Sequence, residues 1–383
     1  MNTYADELNK LKENGAFREI PDISARKGNY VICGGKELLN LSSNDYLSLS
    51  TNEELVNEFL EKKKSCSDFQ FSASSARLLS GTSDSYKELE FMLSRFFNKE
   101  AALIFNTGYQ CNLGVISALI GKGDVIFSDK LNHASIIDGM QLSGAEFYRY
   151  KHLDYDNLEE LLMKHRNQHN KALIVSETIF SMDGDAADIG KLVELKKKYN
   201  AMLMLDEAHI FCAIDDNMAG LSDSDPDVDI ITATFSKALG SIGGFAVSNK
   251  TIIDYLINKA RSFIFSTAVP PVNIEWTKWL LSEKYDYIIN QKKKLSKLVI
   301  DTHKYLKSIG LDTVSISHII PLILGKNEKA LELSEQLKNK GYYVQPVRPP
   351  AVPPNTARLR LSLSADMDFD RVKEVIDFVK YAL

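Results

Sequence analysis

The chain has 383 residues, 44% of them hydrophobic, and a formal net charge of −5 at pH 7. That is enough apolar material for one large domain and a smaller one. The mildly acidic balance excludes nucleic acid as a partner, because a phosphate backbone demands a basic surface. The amino terminus, Met1-Asn2-Thr3-Tyr4-Ala5-Asp6-Glu7, is polar and acidic and so no signal peptide, and no apolar run approaches a membrane span. Four cysteines (Cys33, Cys66, Cys111, Cys212) are scattered without Cys-x-x-Cys spacing, which points to reduced thiols and away from disulfides or zinc. The expectation is a soluble, cytoplasmic protein with no membrane partner and no metal.

Residues 1–20 read as a charged helix ending near Pro21. A strand pair follows, from Tyr30-Val31-Ile32 to Leu38-Leu39-Asn40-Leu41, turning at Gly34-Gly35. These form an amino-terminal segment, 1–45. Over 46–275 helical patterns alternate with apolar strands at 101–105, 124–127, 172–175, 202–205, 230–232 and 244–247. Continuous apolar strands between helices predict an α/β fold with a mostly parallel central sheet covered on both faces. Met202 and Met204 belong to its core. After Pro270-Pro271 comes a long helix, and 276–383 continue as strand, helix, two strands and a terminal helix, a smaller α+β carboxyl-terminal domain.

In such a sheet ligands bind outside the carboxyl ends of the strands, so the residues following each strand carry the chemistry. After the first stand Asn106-Thr107-Gly108-Tyr109, with helical sequence from Asn112. A glycine before a helix lets backbone N–H groups approach a single phosphate. Neither G-x-G-x-x-G nor G-x-x-x-x-G-K-[ST] occurs, so neither a dinucleotide nor a nucleoside triphosphate is indicated. His133 could be a satisfied helix-start residue or could lie flat against an aromatic cofactor ring. Glu177 and Ser181 follow the third strand, and Asp183-Gly184-Asp185 reads as a turn in preference to a metal site.

Asp206 directly follows four apolar residues, so its carboxylate is semi-buried and needs a cationic partner. A protonated pyridine nitrogen is such a partner, and pairing makes that ring an electron sink. His209 lies three residues on. Lys237, preceded by Ser236, follows the buried run Ile230-Ile231-Thr232-Ala233-Thr234 and opens a glycine-rich loop. Partial desolvation there would lower its pKa and free the amine for Schiff-base chemistry; the alternative is a surface lysine in a turn. A phosphate cup, a stacking candidate, a buried acid and a lysine, in that order, together describe a pyridoxal 5'-phosphate site.

Seven segments carry a resemblance that runs nearly end to end: 41–47, Asn132-His133-Ala134-Ser135, 180–185, Asp206-Glu207-Ala208-His209, Thr234-Phe235-Ser236-Lys237, 265–271 and Arg348-Pro349-Pro350-Ala351-Val352-Pro353. They resemble the α-oxoamine synthases, fold-type I pyridoxal-phosphate enzymes that act as acyltransferases. The resemblance implies that Lys237 forms the Schiff base and shuttles protons, Asp206 pairs with the pyridinium and His133 stacks on the ring. His209 and Ser181 would approach the ring oxygen, with Glu177 nearby. Thr107, the amides of Gly108 and Tyr109, Thr234 and Ser236 would serve the phosphate. Thr267 would reach the phosphate of the other subunit of a homodimer with shared active sites. On the substrate side it implies Arg360 for the amino-acid carboxylate, Asn44 and Ala351 beside it, and Arg18, in the amino-terminal helix, for the far carboxylate of a pimeloyl chain.

The run from Arg348 and the segment Thr356-Ala357-Arg358-Leu359-Arg360 look most like the branch that joins L-alanine to a pimeloyl thioester, of CoA or acyl-carrier protein, in biotin biosynthesis. The alternatives are the glycine and acetyl-CoA branch, another α-oxoamine synthase, and a non-catalytic partner subunit. Arg18 speaks against the first, since an acetyl group has no terminal carboxylate; Lys237, Asp206 and His133 together speak against the last. The chain departs from the family pattern at Phe71–Arg77 and at Ile210-Phe211-Cys212, both glycine-rich in relatives, at Ser48, where glycine is common, and at Ala351, where threonine is usual.

Overall fold

A computed structural model describes residues 3–64, 69–214, 220 and 225–382; Cys66 lies outside them. The chain forms two compact units. One contains Met1–Glu53, Ser181–Asp185 and Lys293–Leu383, the other Glu54–Phe180 and Ala186–Lys292. The amino-terminal segment, set apart in the sequence-based division, thus groups with the carboxyl-terminal part.

The first helix spans Thr3–Glu13 and is shorter than the charge pattern suggests. It ends because Gly15 takes a left-handed φ of 58°. The Gly15 N–H then bonds Lys12 O at 3.1 Å and the Ala16 N–H bonds Leu11 O at 2.8 Å, a Schellman closure. Arg18 consequently lies beyond this helix, not in it. Strand β1 (Ile23–Lys27) pairs antiparallel with β2 (Tyr30–Cys33), and β2 with β3 (Lys36–Asn40). The β2–β3 turn needs positive φ at both central positions, which Gly34 and Gly35 supply at 55° and 74°. β1 has no apolar face to announce it: only Ile23 is even half-buried.

The second unit holds seven strands, β4 (Ala101–Phe105), β5 (Val125–Asp129), β6 (Glu146–Tyr150), β7 (Ala172–Glu177), β8 (Met202–Asp206), β9 (Ile230–Thr234) and β10 (Gly244–Ser248). Their order is β4-β10-β9-β8-β7-β5-β6, with β10 antiparallel to both neighbours and the rest parallel. Every residue of β5, β7, β9 and β10 is buried, which is why they read as unbroken apolar runs. β6 sits at the sheet edge with only Tyr150 buried, and its mixed pattern hid it. The core packs Phe105, Ile126, Leu173, Val175, Met204 and Ile230 against Cys111, Val115 and Ile116 of the helix Gly108–Leu119. Fully burying each such aliphatic side chain stabilises by about 1.5–3 kcal/mol.

After Pro270 the expected single long helix is two, Pro271–Glu283 and Tyr285–Ser308, with proline opening the first. Back in the first unit, β11 (Ile319–Gly325), β13 (Pro346–Val347) and β14 (Ala357–Ser362) form a sheet ordered β11-β14-β13. β12 (Tyr342–Tyr343) leaves that sheet and pairs parallel with β3. There Tyr343 joins a small core with Val31, Cys33 and Leu38. Among the described residues, no helix is long and apolar enough to cross a membrane.

Candidate active site

The carboxyl ends of β4, β5, β7, β8 and β9 surround a cavity of about 260 Å³ in the second unit. Ten residues singled out by sequence line it: Thr107, Gly108, Tyr109, His133, Glu177, Asp206, His209, Thr234, Ser236 and Lys237. They meet because each follows its own strand, and parallel strands point their ends the same way.

One wall is a helix start. The helix begins at Gly108, four residues before the sequence placed it, because Thr107 caps it by accepting the Gln110 N–H at 3.1 Å. A side chain at Gly108 would bring its Cβ to 3.2 Å from Thr234 Cβ. A Cβ on Gly244 would come within 2.5 Å of the Gly108 nitrogen. Two glycines therefore let the helix terminus lie close against β9 and β10, with Gly108 and Tyr109 in the cavity lining. The Thr234 hydroxyl donates to Gly243 O at 2.7 Å, so its contact with Ser236 at 2.8 Å has Ser236 as donor. Ser236 is exposed, and its hydroxyl can donate to an anion only by turning away from Thr234.

The opposite wall is acidic and aromatic. Asp206 is 7% exposed; its Oδ1 accepts the Ala208 N–H at 2.8 Å and its Oδ2 accepts from Asn112 Nδ2 at 2.6 Å. His133 is the satisfied helix-start residue that its position allowed. It caps the helix Ala134–Ser143, taking the Ser135 N–H on Nδ1, and it lines the cavity. The His133 backbone N–H donates to Glu177 Oε1 at 2.6 Å. Burial, reinforced by the Asp206 charge, pushes the Glu177 carboxyl up to about 8, while burial pushes the His133 imidazole down. Lys237 is half-buried, and its charge acts on both groups, lowering each.

Asn112, Ser135 and Thr232 also line the cavity, although the sequence assigned them no role in the site. The one available signal was a carboxamide set in the apolar run Cys111-Asn112-Leu113-Gly114-Val115. The whole set suits pyridoxal phosphate: amides and a hydroxyl for the phosphate, a carboxylate for the ring nitrogen, an imidazole wall and an amine.

Six candidates lie away from this lining. In the first unit, Arg360 is 8% exposed and donates to Ser181 O, to the Ser362 hydroxyl and to Asn44 Oδ1 at 3.2 Å. All are neutral oxygens. Two residues away the equally buried Arg358 has the Asp183 carboxylate as partner. A guanidinium buried among neutral acceptors is under-compensated, which suits it to receive a carboxylate. Arg18 is exposed and donates to Pro349 O at 3.1 Å. It shares a groove of about 800 Å³ with Arg348, whose guanidinium bonds Gly15 O and Phe17 O. Ala351 is exposed in the turn closed by its N–H to Arg348 O at 3.1 Å. Thr267, in the second unit, is exposed and bridged to Ala76, with its carbonyl accepting from Asn106 Nδ2.

Three glycine-to-side-chain departures keep a glycine backbone: Ser48, Ser74 and Cys212 have φ of 56°, 49° and 58°.

Residues 36–379 match the class I and II aminotransferase family. The 8-amino-7-oxononanoate synthase of Chlorobaculum parvum is 40% identical over 375 residues, covering 96% of this chain and 95% of that one. Among solved structures, a serine palmitoyltransferase variant from S. paucimobilis carrying a PLP–myriocin aldimine superposes with a TM-score of 0.87 at 28% identity, over 100% of this chain and 96% of that one. An 8-amino-7-oxononanoate synthase from Francisella tularensis superposes with a TM-score of 0.74 at 27% identity, over 90% and 97%.

Proposed function

We propose that this chain, which belongs to the class I and II aminotransferase family and within it to the α-oxoamine synthases, condenses L-alanine with a pimeloyl thioester to give 8-amino-7-oxononanoate, carbon dioxide and the free thiol. The observation that carries the chemistry is that Lys237 and Asp206 line one cavity with the Gly108 helix start. The acyl donor is inferred from relatives of that activity at 40% identity over nearly the whole chain.

Pyridoxal phosphate, when bound, supplies a ring that accepts the electron pair released at the substrate Cα. The amides of Gly108 and Tyr109 and the Ser236 hydroxyl hold its phosphate, where the helix dipole favours negative charge. Asp206 accepts the ring N–H and keeps that nitrogen protonated, and His133 forms the wall against the ring face. Lys237 provides the amine that takes the proton from alanine Cα and returns it later. That duty requires a pKa near the working pH.

Arg360 binds the amino-acid carboxylate and Arg18 the far carboxylate of the pimeloyl chain, delivered as the CoA or acyl-carrier-protein thioester. The working form is a cytoplasmic homodimer in which Thr267 of each chain serves the other's phosphate site; its exposure, without a place in this chain's own cavity lining, supports that role. Alanine and glycine, each assayed with pimeloyl and acetyl thioesters, test the assignment. Fastest carbon dioxide release is expected from alanine with the pimeloyl thioester; preference for glycine and acetyl-CoA would overturn it.

A further inference from the structure

We propose that Asn112 is a positioning residue that, through a single carboxamide, aims the carboxylate of Asp206 and sets the tautomer of His133. It sits one turn into the helix Gly108–Leu119, is 2% exposed and lines the cavity. Its contacts can be read in one direction only. A carboxylate accepts and does not donate, so the group 2.6 Å from Asp206 Oδ2 is the Asn112 NH₂. The carboxamide oxygen then accepts the Thr232 hydroxyl at 2.8 Å, which locks the amide against flipping. The second Nδ2 hydrogen goes to Ser135 Oγ at 2.9 Å.

Ser135 Oγ, already accepting, has its one hydrogen to give, and His133 Nδ1 lies 2.8 Å away. The Ser135 backbone N–H points at the same nitrogen from 3.2 Å. Nδ1 therefore faces two donors and must present its lone pair, which puts the imidazole proton on Nε2. A proton on Nδ1 would oppose both donors. The chain Thr232–Asn112–Ser135–His133, with its branch to Asp206, is buried apart from His133, so a broken link leaves a buried polar group without its partner. The acid assigned to the ring nitrogen and the imidazole assigned to the ring face are thus coupled at one side chain. A neutral imidazole is also the form that can lie against a protonated pyridine ring without charge repulsion.

This inference rests on the cavity being the pyridoxal-phosphate site. Binding of pyridoxal phosphate to wild-type apoprotein is measured first and without any thioester, so a failed acyl-donor assignment leaves it untouched. Three variants are compared, Asn112→Ala, Asn112→Asp and Ser135→Ala, by cofactor titration, by the pH titration of the bound cofactor's absorbance, and by NMR of histidine-labelled apoprotein with the His133 signal identified through His133→Gln. Ser135→Ala is expected to change the Nδ1/Nε2 balance of His133 with little change in cofactor Kd. Asn112→Ala is expected to move both, raising Kd by about tenfold or more, as loss of an outer partner does at bound centres. Asn112→Asp, which sets a second carboxylate against Asp206, is expected to shift the absorbance midpoint as well. A wild-type Kd and a wild-type His133 signal in Asn112→Ala would overturn the proposal. Should that variant not fold, Thr232→Val and Ser135→Ala decide: unchanged Kd in the first with an unchanged His133 signal in the second is the overturning result.

Discussion

Glu177 and Asp206 stand opposite one another at the ends of the neighbouring parallel strands β7 and β8, with exposures of 2% and 7%. Burial, reinforced by the neighbouring Asp206 charge, makes ionisation of Glu177 costly and pushes its carboxyl up to about 8. A protonated Glu177 still accepts the His133 backbone N–H on Oε1 at 2.6 Å, so the geometry of the wall survives its neutralisation.

A pH dependence of the apoprotein follows. The folded pKa of Glu177 lies above the ordinary value of about 4.3, so between these values the folded state holds a proton that the unfolded chain releases. Its stabilising contribution is complete below the lower value and is lost as pH rises through about 8. His133 acts the other way: its folded pKa is lowered, so its contribution holds above the ordinary value near 6.5 and is lost as pH falls through the folded value. Denaturant unfolding of wild type and Glu177→Gln from pH 5 to 9 separates the two. The variant should lose the decline toward alkaline pH, and identical pH profiles would contradict this account.

Lys237→Ala should lower turnover by at least the 10²–10⁴-fold typical of a positioned acid–base group, roughly independent of thioester concentration. The variant should also lose the visible absorbance shift that the lysine gives the bound cofactor. Asp206→Asn should still bind the cofactor and yet lose about 10²-fold or more in kcat, because a carboxamide does not hold a proton on the ring nitrogen. Wild-type turnover in either would remove the assigned roles.

Arg18→Ala is expected to raise KM for the pimeloyl thioester by about tenfold or more, the scale of one charged hydrogen bond, with alanine binding unchanged. Arg360→Ala should do the reverse, weakening alanine while sparing the thioester. Equal losses for both substrates in either variant would show that the residue supports folding and not recognition.

The side chains at glycine-type backbone positions carry a stability cost. Ser74 is exposed with φ of 49°, and a left-handed non-glycine residue costs about 1–2 kcal/mol, partly offset by the greater freedom of glycine in the unfolded chain. Ser74→Gly should therefore stabilise by about 1 kcal/mol in urea unfolding, at the loss of only a long, exposed bond from the Ser74 hydroxyl to the Ser72 hydroxyl at 3.3 Å. Ser48→Gly should give less, since the Ser48 hydroxyl bonds Asn29 Oδ1 at 2.8 Å and that bond would go. A destabilised Ser74→Gly would count against the strain.

How much of this was legible beforehand depended on distance along the chain. Six of the seven strands of the large sheet announced themselves as apolar runs, and all of these but the antiparallel β10 carry the chemistry at or just past their carboxyl ends. Lys237 comes just after β9, and Asp206 is the last residue of β8. The edge strand β6 and the exposed β1 gave no such run, because half or more of each faces water. The first helix was drawn too long because a charged pattern does not show where the backbone turns left-handed at Gly15.

Local order along the chain was thus enough to name the lysine, the acid, the histidine and the glycine turn, since period and burial are properties of neighbouring residues. Tertiary structure alone decided what sits beside them. Asn112 and Asp206 are 94 residues apart and meet only because a helix packs on the sheet at that height. Tyr342-Tyr343 pairs with Leu39-Asn40 across three hundred residues of chain for the same reason. Which buried polar groups satisfy one another is fixed by packing, and packing has no signature in a stretch of sequence.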